Sequence, residues 1–139
     1  MELKKASALT HVLMHQHGLS RGWTFRWQNK KRSLGTCSYK KKEIRLSKWY
    51  VELNHLISVR DTILHEIAHA LSYVRYGSKG IGHGRLWKDI CRQIGAVPKA
   101  RSKENLIKPF SKFKDRVAEI KENQIKTKNK FLRNFCVLL

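Results

Sequence analysis

Residues 58–75 read SVRDTILHEIAHALSYVR, and the fold of the chain turns on them. Val59, Ile63, Ile67, Leu71 and Val74 recur at intervals of three or four, which draws one apolar stripe along a helix. Ser58 with Asp61 three residues on has the form of a capping box, so the pattern predicts a helix over about 59–75.

Within that helix His65, Glu66 and His69 form HExxH. At about 100° per residue the two histidines lie about 40° apart and one turn apart along the axis, so both imidazoles can reach one Zn²⁺. Glu66 sits beside them, offset toward the open side. A carboxylate there can take a proton from a water acidified by the ion and return it to a leaving amine. The chain's own His and Glu frequencies give roughly 0.02 chance matches to HExxH, which disfavours reading the pair as a merely polar helix face.

Zinc in a catalytic site takes a third protein ligand and keeps one position open. Arg75 stands six residues after His69, where one common zinc pattern has its third histidine. His83 is the candidate instead. It lies between Gly82 and Gly84 in the run GSKGIGHG over 77–84, whose backbone freedom lets the chain fold back onto the helix. Tyr73, four residues after His69, is a candidate hydrogen-bond donor to the oxyanion formed during attack. His11 and His15 are also four apart but have no adjacent Glu, and they read as the polar side of a first helix over 2–17.

Around this centre the pattern predicts further elements. Leu9, Val12, Leu13 and Gln16 mark the inner face of the first helix, which Gly18 ends. Trp23, Phe25 and Trp27 alternate with Thr24 and Arg26 as a strand burying one face, and are expected in the core rather than under nucleic-acid bases. Strands over 33–39 and 43–47 follow, giving a three-stranded antiparallel meander with turns at 29–32 and 40–42. Trp49 and Tyr50 are expected to pack between the last strand and the 59–75 helix. Leu86, Ile90 and Ile94 predict a helix stopped by Gly95 and Pro98, and Phe110, Phe113, Val117 and Ile120 another beginning near Pro109. Phe131, Leu132 and Phe135 form a last apolar cluster.

The chain has 139 residues, room for one domain and one core. Its longest apolar run is the five residues 135–139, against about 20 for a membrane span, and no export signal is legible at its start. An intracellular monomer, cytoplasmic or nucleoid-associated, is expected. Lys and Arg number 30 against 10 Asp and Glu, a net charge of +20, far beyond what solubility asks and suited to a polyanion. Residues 58–98 carry 6 positive and 3 negative groups, while 1–57 carry 12 and 3 and 99–139 carry 12 and 4. Chemistry is therefore expected in the middle and polyanion contact on the flanks. Lys30, Lys31, Arg32, Lys40, Lys41 and Lys42 are candidate phosphate contacts that read no bases.

Trp23, Phe25, Gly35, Cys37, Ile44, Leu46 and Ser47, then Asp61, Thr62, Leu64, His65, Glu66, His69, Ala70 and Leu71, and finally His83, Gly84 and Trp87 make the chain resemble the SprT-like metalloprotease domain, the group that includes Spartan, over roughly residues 6–98. The resemblance implies an α+β, zincin-like fold in which a small antiparallel sheet packs on the HExxH helix. It implies one Zn²⁺ on His65, His69 and His83, with Glu66 as catalytic acid and base, and proteolysis of proteins bound or crosslinked to DNA, single-stranded or damaged. Residues 1–98 would form this domain and 99–139 a basic, partly helical extension. Cys37, Cys91 and Cys136 are too scattered to build the cysteine zinc ribbon many members carry, so the basic flanks would replace it. Two rivals stay open from sequence: a metal-dependent nuclease on the same histidines, and a non-enzymatic basic DNA-binding module with a structural metal.

Overall fold

A computed structural model describes residues 1–101. The order is α1 (Leu3–Gln16), β1 (Thr24–Gln28), β2 (Gly35–Ser38), β3 (Glu43–Ser47), α2 (Lys48–Leu53), α3 (Leu56–Tyr76), a 3₁₀ turn (Gly77–Gly80) and α4 (Arg85–Ile94). This is an α+β arrangement of four helices and one three-stranded sheet. The helix expected from Pro109 and the cluster of Phe131, Leu132 and Phe135 lie outside the described residues. Among the described residues no helix is long and apolar enough to cross a membrane.

α3 runs through the middle of the core because its stripe meets apolar partners on several sides. Val59, Ile63, Leu64, Ile67, Ala68 and Ala70 have no exposed surface, and they meet Ile44 and Leu46 of β3, Leu13 and Met14 of α1, and Trp87, Ile90 and Cys91 of α4. The expected capping box does not form. α3 starts at Leu56, with His55 in the capping position, so Ser58 already lies inside the helix. The Ser58 carbonyl accepts the hydroxyl of buried Tyr50 at 3.1 Å, and Asp61 Oδ1 accepts the Val97 amide at 3.3 Å. The Asp61 carboxylate the local motif would have used is thus taken up by a tertiary partner.

The sheet is mixed, not an antiparallel meander. Its order is β1-β3-β2: β1 pairs parallel with β3 (Phe25 opposite Ile44, Trp27 opposite Leu46) and β2 antiparallel with β3 (Cys37 opposite Ile44). The 29–34 segment is too long for a two-residue hairpin, and two strand spacings, about 9.6 Å, lie within its reach. It therefore passes over the end of β3. Ser47 fixes it there: its hydroxyl donates to the Lys30 carbonyl at 2.7 Å and its amide to the Leu34 carbonyl at 2.9 Å. The same Ser47 oxygen accepts the Tyr50 amide at 3.4 Å and so caps α2, a short helix the sequence reading leaves as a connection.

Two helix faces are turned by about one residue from expectation. In α1 the buried set is Ala6, Thr10, Leu13 and Met14, and Val12 is half exposed. Thr10 is tolerated inside because its hydroxyl donates to the Ala6 carbonyl at 2.8 Å. In α4 Trp87 and Cys91 join Ile90 inside. Trp23 is buried, Phe25 and Trp27 pack half-buried against the core, and Trp49 is exposed beneath Lys31, whose Nζ lies 5.2 Å from the ring centroid.

Candidate metal centre and cleft

α3 presents His65 and His69 one turn apart on a single face. The third imidazole arrives because the chain after α3 is pressed back onto it. Gly80 lies so close to Ser72 that a Cβ there would collide with the Ser72 backbone, and the Ser72 hydroxyl donates to the Gly80 carbonyl at 2.9 Å. Gly82, at φ +91°, then turns the backbone through a region closed to most side chains, and His83 follows.

The result is a triangle of Nε2 atoms: His65 to His69 3.2 Å, His69 to His83 3.1 Å, His83 to His65 3.2 Å. Three nitrogens at about 2.0–2.1 Å from one tetrahedral centre stand roughly 3.3 Å apart. The donor set therefore fits a divalent ion, and among the described residues these three form the group able to hold one. Trp87 touches all three rings, stacked on His69 at 5.1 Å and edge-on to His65 and His83 at 4.8 and 4.7 Å. Among the described residues its buried indole N–H has no hydrogen-bond partner.

Burial sets the protonation of the cluster. It lowers His65 to about 4, with help from His83, and His69 to about 3, with help from His65 and His83; exposed His83 is lowered less. The rings are thus held neutral, the form that donates a lone pair to a metal. Glu66 is 6% exposed, and burial pushes its carboxyl up to about 8.

A cavity of about 870 Å³ opens beside these groups. One wall is α3, with Asp61, Thr62, His65, Glu66 and His69; the other is the β2 side, with Leu34, Gly35, Thr36, Cys37 and Tyr39. His83, Arg32, Val97 and the 99–101 segment complete the lining. Because β2 is an edge strand, one of its sides is unpaired within the sheet. Gly35 is shaped to Glu66: a Cβ there would lie 2.9 Å from both Cγ and Oε1 of Glu66. The Cys37 thiol is raised to about 12, by burial first and then by Glu66, so it stays uncharged.

The structure thus brings His65, Glu66, His69 and His83 together. It leaves Tyr73 outside the cavity lining, packed on Tyr39 with ring centroids 4.8 Å apart. The tyrosine that reaches the cluster is Tyr39, whose hydroxyl oxygen lies 3.4 Å from His69 Nδ1. Lys30, Lys31, Lys40, Lys41 and Lys42 are exposed on the loops at the two ends of β2, and Arg32 reaches the cavity. Sequence reasoning gave no role to Gly35, Tyr39 or Trp87. The period-2 spacing of Gly35, Cys37 and Tyr39 was the available signal, because it places them on one side of a strand.

No curated protein and no solved structure matches the chain. The SprT-like family model does, over residues 3–108, a span that holds both walls of the cavity and all three imidazoles; the chain belongs to the SprT-like family.

Proposed function

We propose that the chain is a zinc-dependent metallopeptidase of zincin-like build that hydrolyses peptide bonds in proteins associated with or crosslinked to DNA. The observation that carries this reading is the convergence of three Nε2 atoms within 3.2 Å of one another, beside a buried carboxylate on the same cavity. Three ligands are one fewer than structural zinc usually takes, which favours a site with an open position. A bound Zn²⁺ would supply the charge that polarises a carbonyl and acidifies water.

The chain's own groups do the rest. His65, His69 and His83 hold the ion as neutral imidazoles. The Glu66 carboxylate takes a proton from the attacking water and passes it to the departing amine nitrogen. Burial alone favours its neutral form, and the charge of an ion held by the triad would draw its pKa back toward the working range. A peptide lying extended along the free edge of β2 would pass Glu66 across Gly35, and its selection would rest on main-chain hydrogen bonds more than on side chains. Residues 1–98 form the catalytic domain in this reading, and 99–139 a basic extension.

DNA supplies co-localisation. Lys30, Lys31, Arg32, Lys40, Lys41 and Lys42 lie at both ends of β2, and with a net charge of +20 they favour salt-sensitive phosphate contact without base reading, to single-stranded or damaged DNA. The test is to incubate the zinc-loaded chain with a DNA-binding protein, with and without single-stranded DNA, beside Glu66→Gln. Cleavage should need zinc, rise with DNA and vanish in Glu66→Gln. Equal cleavage by both proteins would sink the reading.

A further inference from the structure

Of the three imidazoles, His69 is the most enclosed, 8% exposed, and its Nε2 faces both of the others. A ring that turns its Nε2 lone pair toward a shared centre carries its hydrogen on Nδ1, and that hydrogen needs an acceptor. Tyr39 Oη, 3.4 Å away, is the acceptor in place. Among the described residues the Nδ1 atoms of His65 and His83 have no such partner. The phenol oxygen therefore touches the middle ligand, on α3. The ring that carries this oxygen is itself held, since it packs on Tyr73 of α3.

We propose that Tyr39 is the positioning residue of the metal centre: its hydroxyl oxygen accepts from His69 Nδ1–H, which fixes the His69 tautomer and the orientation of its ring. This inference rests on the metal site of the proposed function. With His69 donating to its oxygen, Tyr39 keeps its own hydrogen for the cavity it lines. Outer partners of this type hold the ring of a metal ligand in its working orientation, and their loss typically weakens metal binding roughly 10–100-fold. A residue thirty positions before its histidine becomes such a partner because it directly follows β2, the edge strand packed against α3.

The test uses the full chain. Tyr39→Phe keeps the ring on Tyr73 and removes only the oxygen. Zn²⁺ affinity, measured by competition with a chelator, should fall roughly 10–100-fold in Tyr39→Phe and stay within about twofold in Tyr76→Phe, whose side chain is outside the cavity lining. An unchanged affinity in Tyr39→Phe overturns the proposal. Nitrogen-15 NMR of the metal-free wild-type chain decides independently, including where Tyr39→Phe fails to fold. His69 should appear as the Nδ1–H tautomer with its proton slow to exchange, and the Nε2–H tautomer overturns the proposal. A wild-type chain that takes up no Zn²⁺ overturns the metallopeptidase reading instead, while the tautomer still tests Tyr39.

Discussion

The candidate metal centre is built from two unlike halves. His65 and His69 ride on α3, a 21-residue helix whose core face is wholly buried, and burial pushes their pKa values to about 4 and about 3. His83 rides on an exposed glycine loop held to that helix through Gly80 and Ser72, and its pKa is lowered less. The helical half is preorganised and held neutral at a cost in stability. The loop half costs the fold little and completes the donor set. The cavity repeats this division: α3 brings the buried Glu66 carboxyl, and the wall along and just after β2 brings shape, through Gly35 and Tyr39.

The largest expected effect tests the helical half alone. Glu66→Gln should lower kcat by about 10²–10⁴-fold, the usual worth of a general acid and base, while Zn²⁺ affinity changes by no more than a few-fold. Peptidase kinetics beside a chelator titration checks both. Loss of metal together with activity would mean that Glu66 shapes the cluster rather than serving the reaction.

Next comes the contrast between the ligands. If about 10–16 kcal/mol of zinc binding is shared over four ligands, each is worth roughly 3 kcal/mol, so His69→Ala and His83→Ala should each weaken Zn²⁺ on the order of 10²-fold. The metal-free proteins should differ. His83 is exposed and meets Trp87 only edge-on, so His83→Ala should unfold near the wild-type temperature, whereas His69→Ala removes a buried ring stacked on Trp87 and should shift the midpoint. Equal midpoints would erase the distinction between the halves.

A smaller effect should come from the β2 wall. Gly35→Ala puts a methyl 2.9 Å from Glu66 Cγ and Oε1, and the carboxylate must move. A displacement near 1 Å can cost up to about 10²-fold, so kcat should drop on the order of 10-fold or more with metal affinity retained. Unchanged kinetics would show that β2 does not position Glu66.

How far the sequence discloses these halves follows from the range of the interactions. The α3 stripe and the 65, 66, 69 spacing are consequences of one helix's period, so they read directly from the chain. His83 needed more: a glycine run that permits a return, and the rule that catalytic zinc wants a third ligand. The β2 wall stayed hidden because it depends on strand order. Local alternation cannot tell that Glu43–Ser47 is central and Gly35–Ser38 is the edge, and an antiparallel meander satisfies the same pattern. The 29–34 crossing, fixed by Ser47, decides it. The start of α3 departs from the local pattern too: the helix begins at Leu56, with His55 in the capping position and no side-chain cap, so the Ser58 and Asp61 spacing falls inside it.

The smallest effect is one of pH on the metal-free chain. Above pH 6.5, the ordinary histidine value, His65 and His69 are neutral in the folded and the unfolded chain alike, and they drop out of the balance. Glu66 remains: unfolded, it is ionised above 4.5, and folded, it keeps its proton up to about 8. The folded state therefore holds one extra proton, and stability falls as pH rises, by at most about 1.4 kcal/mol per pH unit. Below 6.5 the order reverses, because the unfolded chain binds protons on His65 and His69 that the folded one refuses until about 4 and about 3. Two such protons outweigh the one on Glu66, so stability falls toward acid as well, leaving a maximum near pH 6.5. Thermal unfolding of the metal-free protein across pH 5–8 should trace this dome. Glu66→Gln should keep its acid side and lose its alkaline one, and an alkaline fall that survives the substitution would place its source outside the helical half of the site.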